Sequence, residues 1–423
     1  MKKLFLLLFL AVFSIQTQAS HLMGGQITTS QNSGLYYLVK LTLYRDSLGI
    51  PMSPTQQITY TDSTGNFIIA THTVSYVIGS FPVNIGNGVE RYEFQDTITF
   101  PYAGKFKAFT SNCCRNAAIL NLPNPSSNSL WLDVDITADP SNSSPVFLNE
   151  PITVAQLNQP FSYNPLPFDA DGDSLSWQLD VPMDIINGTT LGTPIPGYVL
   201  PPSDTLVPFS IDPLTGEITF LPIVAGNFQV SVKAIEWRNG IQIGYIRRDM
   251  QLIVVPSTNT PIIIQVNTTV QRTTTNPIYV NVGESLTFEM NTFNLDSGAV
   301  SVVPGGSIFL ANTPAIVSSN LPTQNGYNTI INWTPTLNEV NNTPYYLSFR
   351  IGDFSYPFTF YNDYTFRVIV TNTSTGINEI TNNDKKHFIK SIDMLGREID
   401  PKSTGFRIDL YSDGSTKKFF VQE

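Results

Sequence analysis

The residues best suited to chemistry form a short acidic loop. Asp169, Asp171 and Asp173 alternate with small residues, and Glu236 lies on a predicted strand far along the chain. A glycine at position 172 permits a bend between the carboxylates, so their oxygens can converge on a hard cation, which takes about 6–8 oxygen ligands. We therefore expect Asp169, Asp171, Asp173 and Glu236 to bind calcium. A plain Asp/Gly turn between two strands is the alternative.

The chain has two cysteines, Cys113 and Cys114, and they are adjacent. A redox or metal role would need a partner, yet there is no CxxC spacing, and the three histidines (His21, His72, His387) form no cluster with them in sequence. In an oxidising compartment the pair can form a vicinal disulfide, bond to another chain or stay as thiols. We expect the vicinal disulfide.

Motifs of catalytic sites are missing. The sequence contains no G-x-S-x-G elbow, no HExxH pair and no phosphate-binding Gly-rich loop. We therefore expect a protein that is not an enzyme. The paired carboxylates of a glycoside hydrolase meet only in three dimensions, so a hydrolase stays an alternative. Four tryptophans could stack on sugars, but their strand contexts favour core packing: Trp131, Trp177, Trp237 and Trp333.

The composition indicates an all-β protein. Apolar residues make up 41 % of the chain and charged residues only 13 %, while Thr, Ser, Asn, Pro and β-branched residues are abundant, as in strands and turns. The net charge is −10 and the pI is about 4.8. An acidic chain of this kind lacks the basic surface that nucleic acid requires, so we expect no nucleic-acid partner.

The N-terminus has the pattern of a secretory signal peptide. Residues 1–3 (MKK) are positive, residues 4–15 are apolar, and residues 17–19 (TQA) offer small side chains before Ser20. About a dozen apolar residues are too few to span a bilayer, which needs about 20. We predict a signal peptide at residues 1–19 and an exported mature chain.

Polar linkers divide the mature chain into modules. Stretches rich in Pro, Ser, Asn and Thr follow strand-like runs at residues 137–145, 256–261 and 371–376. Between them apolar residues alternate with polar ones, and each module has the size of an immunoglobulin-like sandwich. We predict three sandwiches and a small β tail: residues 20–138, 143–256, 260–372 and 385–423.

The second and third modules are similar to one another. Residues 168–173 (FDADGD) align with residues 293–298 (FNLDSG) at an offset of 125, and residues 232–236 align with residues 349–353. Because the matching segments keep the same order along both modules, we predict tandem repeats, which commonly build rods.

The second module resembles cadherin-like and immunoglobulin-like repeats of bacterial surface proteins in residues 169–176 (DADGDSLS), 215–218 (TGEI) and 234–236 (AIE). In cadherin-type repeats such acidic positions bind calcium at the junction between modules. The resemblance thus implies this role for Asp169, Asp171 and Glu236.

The first module resembles the opening module of large exported Bacteroidetes proteins with repeated sandwich domains, some of them associated with gliding motility. The resemblance lies in residues 20–27 (SHLMGGQI), 43–47 (LYRDS) and 113–116 (CCRN).

The tail predicts three strands, at residues 388–395, 406–411 and 417–421, with a tight hairpin turn at residues 413–414 (DG). Through residues 393–398 (DMLGRE) and the second strand it resembles the C-terminal sorting domain of the type IX secretion system. That resemblance implies the secretion machinery as a partner and a location at the outer-membrane surface or outside the cell.

Together these patterns predict a non-catalytic adhesion or scaffold protein, at the cell surface or secreted, with calcium stiffening the module array. Its ligand would be an unidentified surface protein or polysaccharide. The alternative is a carbohydrate-binding ancillary protein of polysaccharide utilisation, or a hydrolase. Aromatic side chains exposed on one sandwich face would favour the alternative, whereas acidic clusters at module junctions would favour the adhesion or scaffold role.

Overall fold

The computed structural model describes residues 22–77, 82–151, 153–185, 191–269, 277–296, 298–341, 343–355, 357–372, 388–392, 398–402, 405–411 and 416–421. The predicted signal peptide, residues 1–19, and the predicted turn at residues 413–414 lie outside this set. The chain divides into two compact units, residues 1–372 and 373–423. Among the described residues no helix is long and apolar enough to cross a membrane.

Strands make up nearly all regular structure of the described residues. The first module contains β1 (Leu22–Ser33), β2 (Tyr36–Asp46), β3 (Thr55–Asp62), β4 (Ile68–Ser75), β5 (Val83–Gly86), β6 (Val89–Thr99), β7 (Gly104–Asn112) and β8 (Leu130–Ala138). The second contains β9 (Val146–Phe147), β10 (Val154–Gln156), β11 (Phe161–Tyr163), β12 (Pro167–Phe168), β13 (Ser174–Asp180), β14 (Met183–Ile185), β15 (Gly192–Pro194), β16 (Ser210–Ile211), β17 (Ile218–Phe220), β18 (Gly226–Arg238) and β19 (Ile241–Val255).

The third module contains β20 (Ile263–Thr268), β21 (Ile278–Asn281), β22 (Leu286–Phe293), β23 (Ala299–Gly305), β24 (Ile316–Thr323), β25 (Gly326–Trp333), β26 (Tyr345–Ser355) and β27 (Phe358–Thr371). The tail contains β28 (Phe388–Ile392), β29 (Glu398–Ile399), β30 (Gly405–Tyr411) and β31 (Thr416–Val421). Short 3₁₀ turns occupy Pro125–Ser127, Ser307–Leu310 and Leu337–Glu339.

Alternation of side chains places the core of the first module. On β2, Val39, Leu41 and Leu43 are fully buried, because successive residues of a strand point to opposite faces. They share one apolar cluster with residues of β6 such as Phe94 and residues of β8 such as Leu132. These strands belong to two arms of one sheet, so the sheet folds back over its own core.

The first two modules share that sheet. Its order is β4-β3-β7-β8-β19-β1-β2-β6-β5, so β19 of the second module lies between two strands of the first. One edge of β19 bonds to β18 along its length, while the other edge bonds in turn to β8, β1 and β10. Residues 20–138 and 143–256 are therefore joined by main-chain hydrogen bonds as well as by their linker.

A glycine permits the close approach of β1 to β19. Gly24 pairs with Met250, and a Cβ on Gly24 would collide with the backbone carbonyl of Asp249. Its φ of 149° is also one that residues with a side chain rarely adopt. A residue with a side chain at position 24 would therefore be disfavoured both by the steric clash and by the backbone conformation.

The second and third modules have the same strand arrangement, which confirms the predicted repeat. In the second module β13, β18, β19 and β10 pair in that order, with β10 parallel to β19; in the third, β23, β26, β27 and β21 do the same. The facing sheets are β11-β17-β16 and β20-β22-β25-β24. A separate apolar core fills each pair of sheets. The predicted all-β fold of tandem sandwiches is confirmed.

The tail unit is a four-stranded antiparallel sheet in the order β29-β28-β30-β31. β30 and β31 form the predicted hairpin, with Leu410 opposite Thr416. Ser391 donates a hydrogen bond from its hydroxyl to Asp409 Oδ1 at 2.6 Å inside this sheet. Residues 393–397, which carry most of the first sorting-domain motif, lie outside the described residues.

Candidate metal site

The acidic loop connects β12 to β13, and Asp169 closes it. Asp169 Oδ1 accepts backbone N–H groups of Asp171 at 3.0 Å and Asp173 at 2.9 Å. Gly172 between them has a φ of 84°, a conformation that glycine adopts at little cost. An aspartate that binds its own backbone in this way favours a tight turn over a continued strand.

Strand register brings Glu236 to the loop. Glu236 on β18 pairs with Leu175 on β13. Leu175 is two residues beyond Asp173, the last residue of the loop. Carboxylate oxygens of Asp169, Asp173 and Glu236 consequently all lie within 4.8 Å of one another. Three of the four residues expected from the sequence are thus brought together, although two come from a loop and the third from a strand far along the chain.

Two oxygens of this cluster lack a partner. Asp169 Oδ2 and Glu236 Oε1 are buried and accept no hydrogen bond, and the Glu236 residue is only 1 % exposed. A buried polar atom without a partner destabilises a fold. A cation between the two carboxylates would bind both oxygens.

The surroundings favour the protonated form of two of the acids. Burial raises the pKa of Asp169 to about 6, and the negative charges of Asp173 and Asp171 add to the rise, while the backbone N–H of Asp173 opposes it. Burial and the charges of Asp169 and Asp173 also hold the pKa of Glu236 well above its usual range. Both shifts have the cause expected of like charges placed close together away from water.

Arg238 neutralises one carboxylate of the cluster. Its Nε and Nη2 donate to Asp173 Oδ1 and Oδ2 at 2.8 and 2.6 Å, and Nη2 also donates to Asn142 Oδ1 at 2.6 Å. When ionised, the three carboxylates and Arg238 together have a net charge of −2, which a divalent cation would balance. The sequence reading missed Arg238 and Asn142. Arg238 lies two residues beyond Glu236 on the same strand, so the period of two could have indicated it.

Asp171 does not join the cluster. It is exposed, and its Oδ2 accepts the backbone N–H of Ser143 at 2.6 Å. The carboxylate therefore fixes the linker between the first two modules rather than facing Glu236.

The third module has a counterpart of this site with different side chains. Asn294 stands where the second module has Asp169, and Asp353 where it has Glu236. The Nδ2 atoms of Asn294 and Asn259 donate to Asp353 Oδ1 at 3.1 Å and Oδ2 at 2.6 Å. Asp296, the counterpart of Asp171, likewise accepts the backbone N–H of Thr260 in the preceding linker. In the third module, therefore, amide groups donate hydrogen bonds to both oxygens of Asp353. In the second module, the equivalent Glu236 has one oxygen without a hydrogen-bond partner.

The adjacent cysteines form a disulfide bond after β7. The next residue, Arg115, is buried and donates to Asp249 Oδ2 at 2.8 Å and to the Ser129 carbonyl at 3.0 Å. The disulfide thus precedes a residue that links the first module to the shared strand β19.

The tryptophans do not form an exposed stacking surface. Trp131, Trp177 and Trp333 are buried in the cores, as the sequence predicts. Trp237 is half-buried, and its Nε1 donates to Ser176 Oγ at 2.8 Å.

Comparisons with known proteins give distant likenesses. No known family profile and no curated protein matches the chain. Among solved structures it is similar to Dpr2 Ig1-Ig2 in complex with DIP-Theta Ig1-Ig3, at 8 % identity over 80 % of this chain and 95 % of that one, with a TM-score of 0.16.

It is also similar to the N-terminal eight Ig domains of Down Syndrome Cell Adhesion Molecule isoform 1.30.30, at 10 % identity over 94 % of this chain and 41 % of that one, with a TM-score of 0.19. A third is the zebrafish RET cadherin-like domains 1 to 4, at 11 % identity over 96 % and 89 %, with a TM-score of 0.18. At TM-scores this low, the fold assignment rests on the strand pairings.

Proposed function

We propose that this chain is a non-catalytic adhesion or scaffold protein, exported through the type IX route to the outer-membrane surface or beyond, whose second module binds calcium. The observation that supports calcium most strongly is the pair of buried, unpartnered oxygens on Asp169 and Glu236. They belong to a cluster that, when ionised and counted together with Arg238, has a net charge of −2.

The ligand atoms favour calcium over other metals. The cluster offers only carboxylate oxygens from Asp169, Asp173 and Glu236, whereas zinc prefers nitrogen and sulfur donors. Calcium accepts an irregular oxygen sphere completed by water, and magnesium demands near-ideal octahedral geometry. A site assembled from one loop and one strand, with Arg238 on one carboxylate, fits the more tolerant ion.

Calcium here would fix the junction of the first two modules. The linker is bonded to the first module through Ser144, whose N–H donates to the Thr29 carbonyl at 2.9 Å. On its other side it is bonded to Asp171 through Ser143 and to Arg238 through Asn142. An ion that orders Asp169 and Asp173 would order the whole loop and, with it, these linker contacts.

The proposal is tested by adhesion of beads coated with the purified mature chain. Binding to intact bacterial cells is measured in calcium and in EGTA, for the natural chain, for Glu236→Gln and for Asp353→Asn as the matched change in the third module. We expect calcium-dependent binding that Glu236→Gln abolishes and Asp353→Asn retains. Binding that is equal in calcium and EGTA would contradict the calcium role. Release of reducing ends from polysaccharide by the purified chain would contradict the non-catalytic role.

A further inference from the structure

A polar cavity of about 450 Å³ lies on the outer face of the first module. It is lined mainly by alternate residues of β1, β2 and β6, whose neighbours in sequence point into the core on the other side. Residues 146–148 and Glu150 of the second module and Arg248 of β19 complete it. The cavity thus forms where the two modules share their sheet.

Arg248 is a buried cation that forms no direct ion pair with the described residues, although, against the lowering effect of its burial, the negative charge of Glu150 acts on it and helps to raise its pKa. It is 1 % exposed, and its guanidinium donates to Gln26 Oε1 at 2.5 Å, to the Asn149 carbonyl at 2.5 Å and to the Tyr163 hydroxyl at 2.6 Å. All three partners are neutral. To the described part of the chain Arg248 forms no ion pair, and its Nη2 makes no hydrogen bond. A charge buried in this way calls for an anion.

One further donor at the same cavity makes no hydrogen bond. Arg91 Nε is buried and unbonded, and Arg91 lines the cavity. Arg91 binds Glu150 through Nη1, and the nearest carboxylate oxygen to its Nε is that of Glu93 at 3.6 Å. Arg91 Nε from β6 and Arg248 Nη2 from β19 are therefore available around one space.

The charge of the lining is positive although the chain is acidic. Lys40, Arg91 and Arg248 face Glu93 and Glu150 around the cavity, which leaves one positive charge in excess. Guanidinium groups match the geometry of carboxylates, to which they can donate two parallel hydrogen bonds. An oxyanion would therefore balance the charge and satisfy the donors together.

We propose that this cavity binds the carboxylate of an acidic sugar, a uronate unit of a polysaccharide, with Arg248 and Arg91 donating to it. Its volume lies in the range of small-ligand sites. Amide and hydroxyl side chains of the lining, Gln26 and Gln95 among them, supply partners for ring hydroxyls. A sugar fits better than an acidic peptide because the cavity opens on a sheet face, whereas an extended peptide would pair with a free strand edge.

The test is calorimetric titration of the mature chain in EGTA, so that the calcium site plays no part. The probes are trigalacturonate, its neutral counterpart galactotriose, triaspartate and inorganic sulfate. We expect saturable binding of trigalacturonate and none of galactotriose. Arg91→Gln should weaken it about tenfold or more, while the exposed, remote change Lys105→Gln should not.

The proposal is overturned if trigalacturonate gives no saturable heat, if galactotriose binds equally, or if Arg91→Gln binds as the natural chain does. Triaspartate binding at least as tightly would show a peptide site instead, and sulfate doing so would show an adventitious ion only. Arg91→Gln is preferred to changes at Arg248, because Arg248 also donates to the Asn149 carbonyl and the Tyr163 hydroxyl. Thermal unfolding of each variant checks that it is folded.

Discussion

At the scale of residues, the second and third modules differ in how they accommodate a buried carboxylate at equivalent positions, Glu236 and Asp353. The second places Asp169 beside Glu236 and leaves an oxygen of each without a partner. The third places Asn294 beside Asp353, where the amide donates. Because Asn294 and Asn259 both donate to Asp353, the third module leaves this acid partnered, so exchanging the carboxylate and the amide at positions 169 and 294 should shift each site toward the behaviour of the other.

Asp169→Asn should remove calcium binding and stabilise the calcium-free protein by roughly 1 kcal/mol, because an amide replaces one of two close carboxylates while its oxygen still accepts the loop N–H groups. Urea unfolding in EGTA measures the change.

The reciprocal Asn294→Asp should destabilise the protein by roughly 1–3 kcal/mol, because it puts a second charge beside buried Asp353. Equal stability of both variants and the natural chain would count against the assignment.

The same carboxylates predict a pH dependence. With the pKa of Asp169 raised to about 6 and that of Glu236 higher than usual, the calcium-free folded state holds protons that the unfolded chain has already lost. Its stability should therefore fall as pH rises from about 4 through 6 and beyond. Calcium competes with these protons, so its Kd should fall by up to about tenfold per pH unit for each proton displaced.

Calcium titrations at pH 5, 6 and 7 measure this trend. Glu217 is a background group, because burial raises its pKa to about 7, so the useful quantity is the gain in melting temperature on adding calcium. That gain should grow with pH and vanish in Glu236→Gln. A gain that is constant between pH 5 and 7 would show that protons and calcium do not compete for the cluster.

The sequence predicts the cluster in part. Asp169 and Asp173 are predictable because a Gly-bend loop turns alternate carboxylates together, and Glu236 because the module aligns with its neighbour. The outward direction of Asp171 is set by the Ser143 N–H, a contact over 28 residues that no local pattern encodes. Arg248 could also have been noticed in the sequence, because two adjacent arginines within an otherwise apolar strand indicate that at least one of them is buried, and buried arginines are rare unless they are paired.

At the scale of elements, β19 organises the first two modules. Alternation predicts its existence and end, but not its neighbours. Its pairing with β1 joins residues more than 200 positions apart, and strand pairing over such a distance leaves no period in the sequence. The paired glycines at positions 24 and 25 are the local trace of that contact.

Gly24→Ala should destabilise the protein by roughly 1–3 kcal/mol, because the new Cβ would collide with the Asp249 carbonyl and force β1 away from β19. Gly305→Ala is the control, since a Cβ there has open space. Chemical denaturation of both variants checks the prediction. A Gly24→Ala protein as stable as the control would mean that β1 does not approach β19 so closely.

At the scale of the whole molecule, the module boundaries and the units of folding differ. The linker after β8 separates residues 20–138 from 143–256, yet β19 returns to pair with β8 and β1. Because main-chain hydrogen bonds already join the first two modules, a metal ion is needed less to hold them together than it would be between modules connected only by a linker. The proposed calcium would then act on the linker loops and the surface that they form, which suits a role in contact with a partner.

Removal of residues 385–423 should leave the protein in the periplasm, because the proposed sorting sheet contains β28 to β31. Immunoblotting of periplasmic, outer-membrane and culture fractions of the native bacterium measures this. Normal surface display of the truncated chain would contradict the sorting role and leave the calcium site untouched.

The most direct test of the central claim is isothermal titration of the calcium-free mature chain with calcium at pH 7. We predict one site per chain, lost in Glu236→Gln and in Asp169→Asn, and retained in Asp353→Asn. Absence of saturable binding by the natural chain, or unchanged binding by Glu236→Gln, would contradict the calcium site.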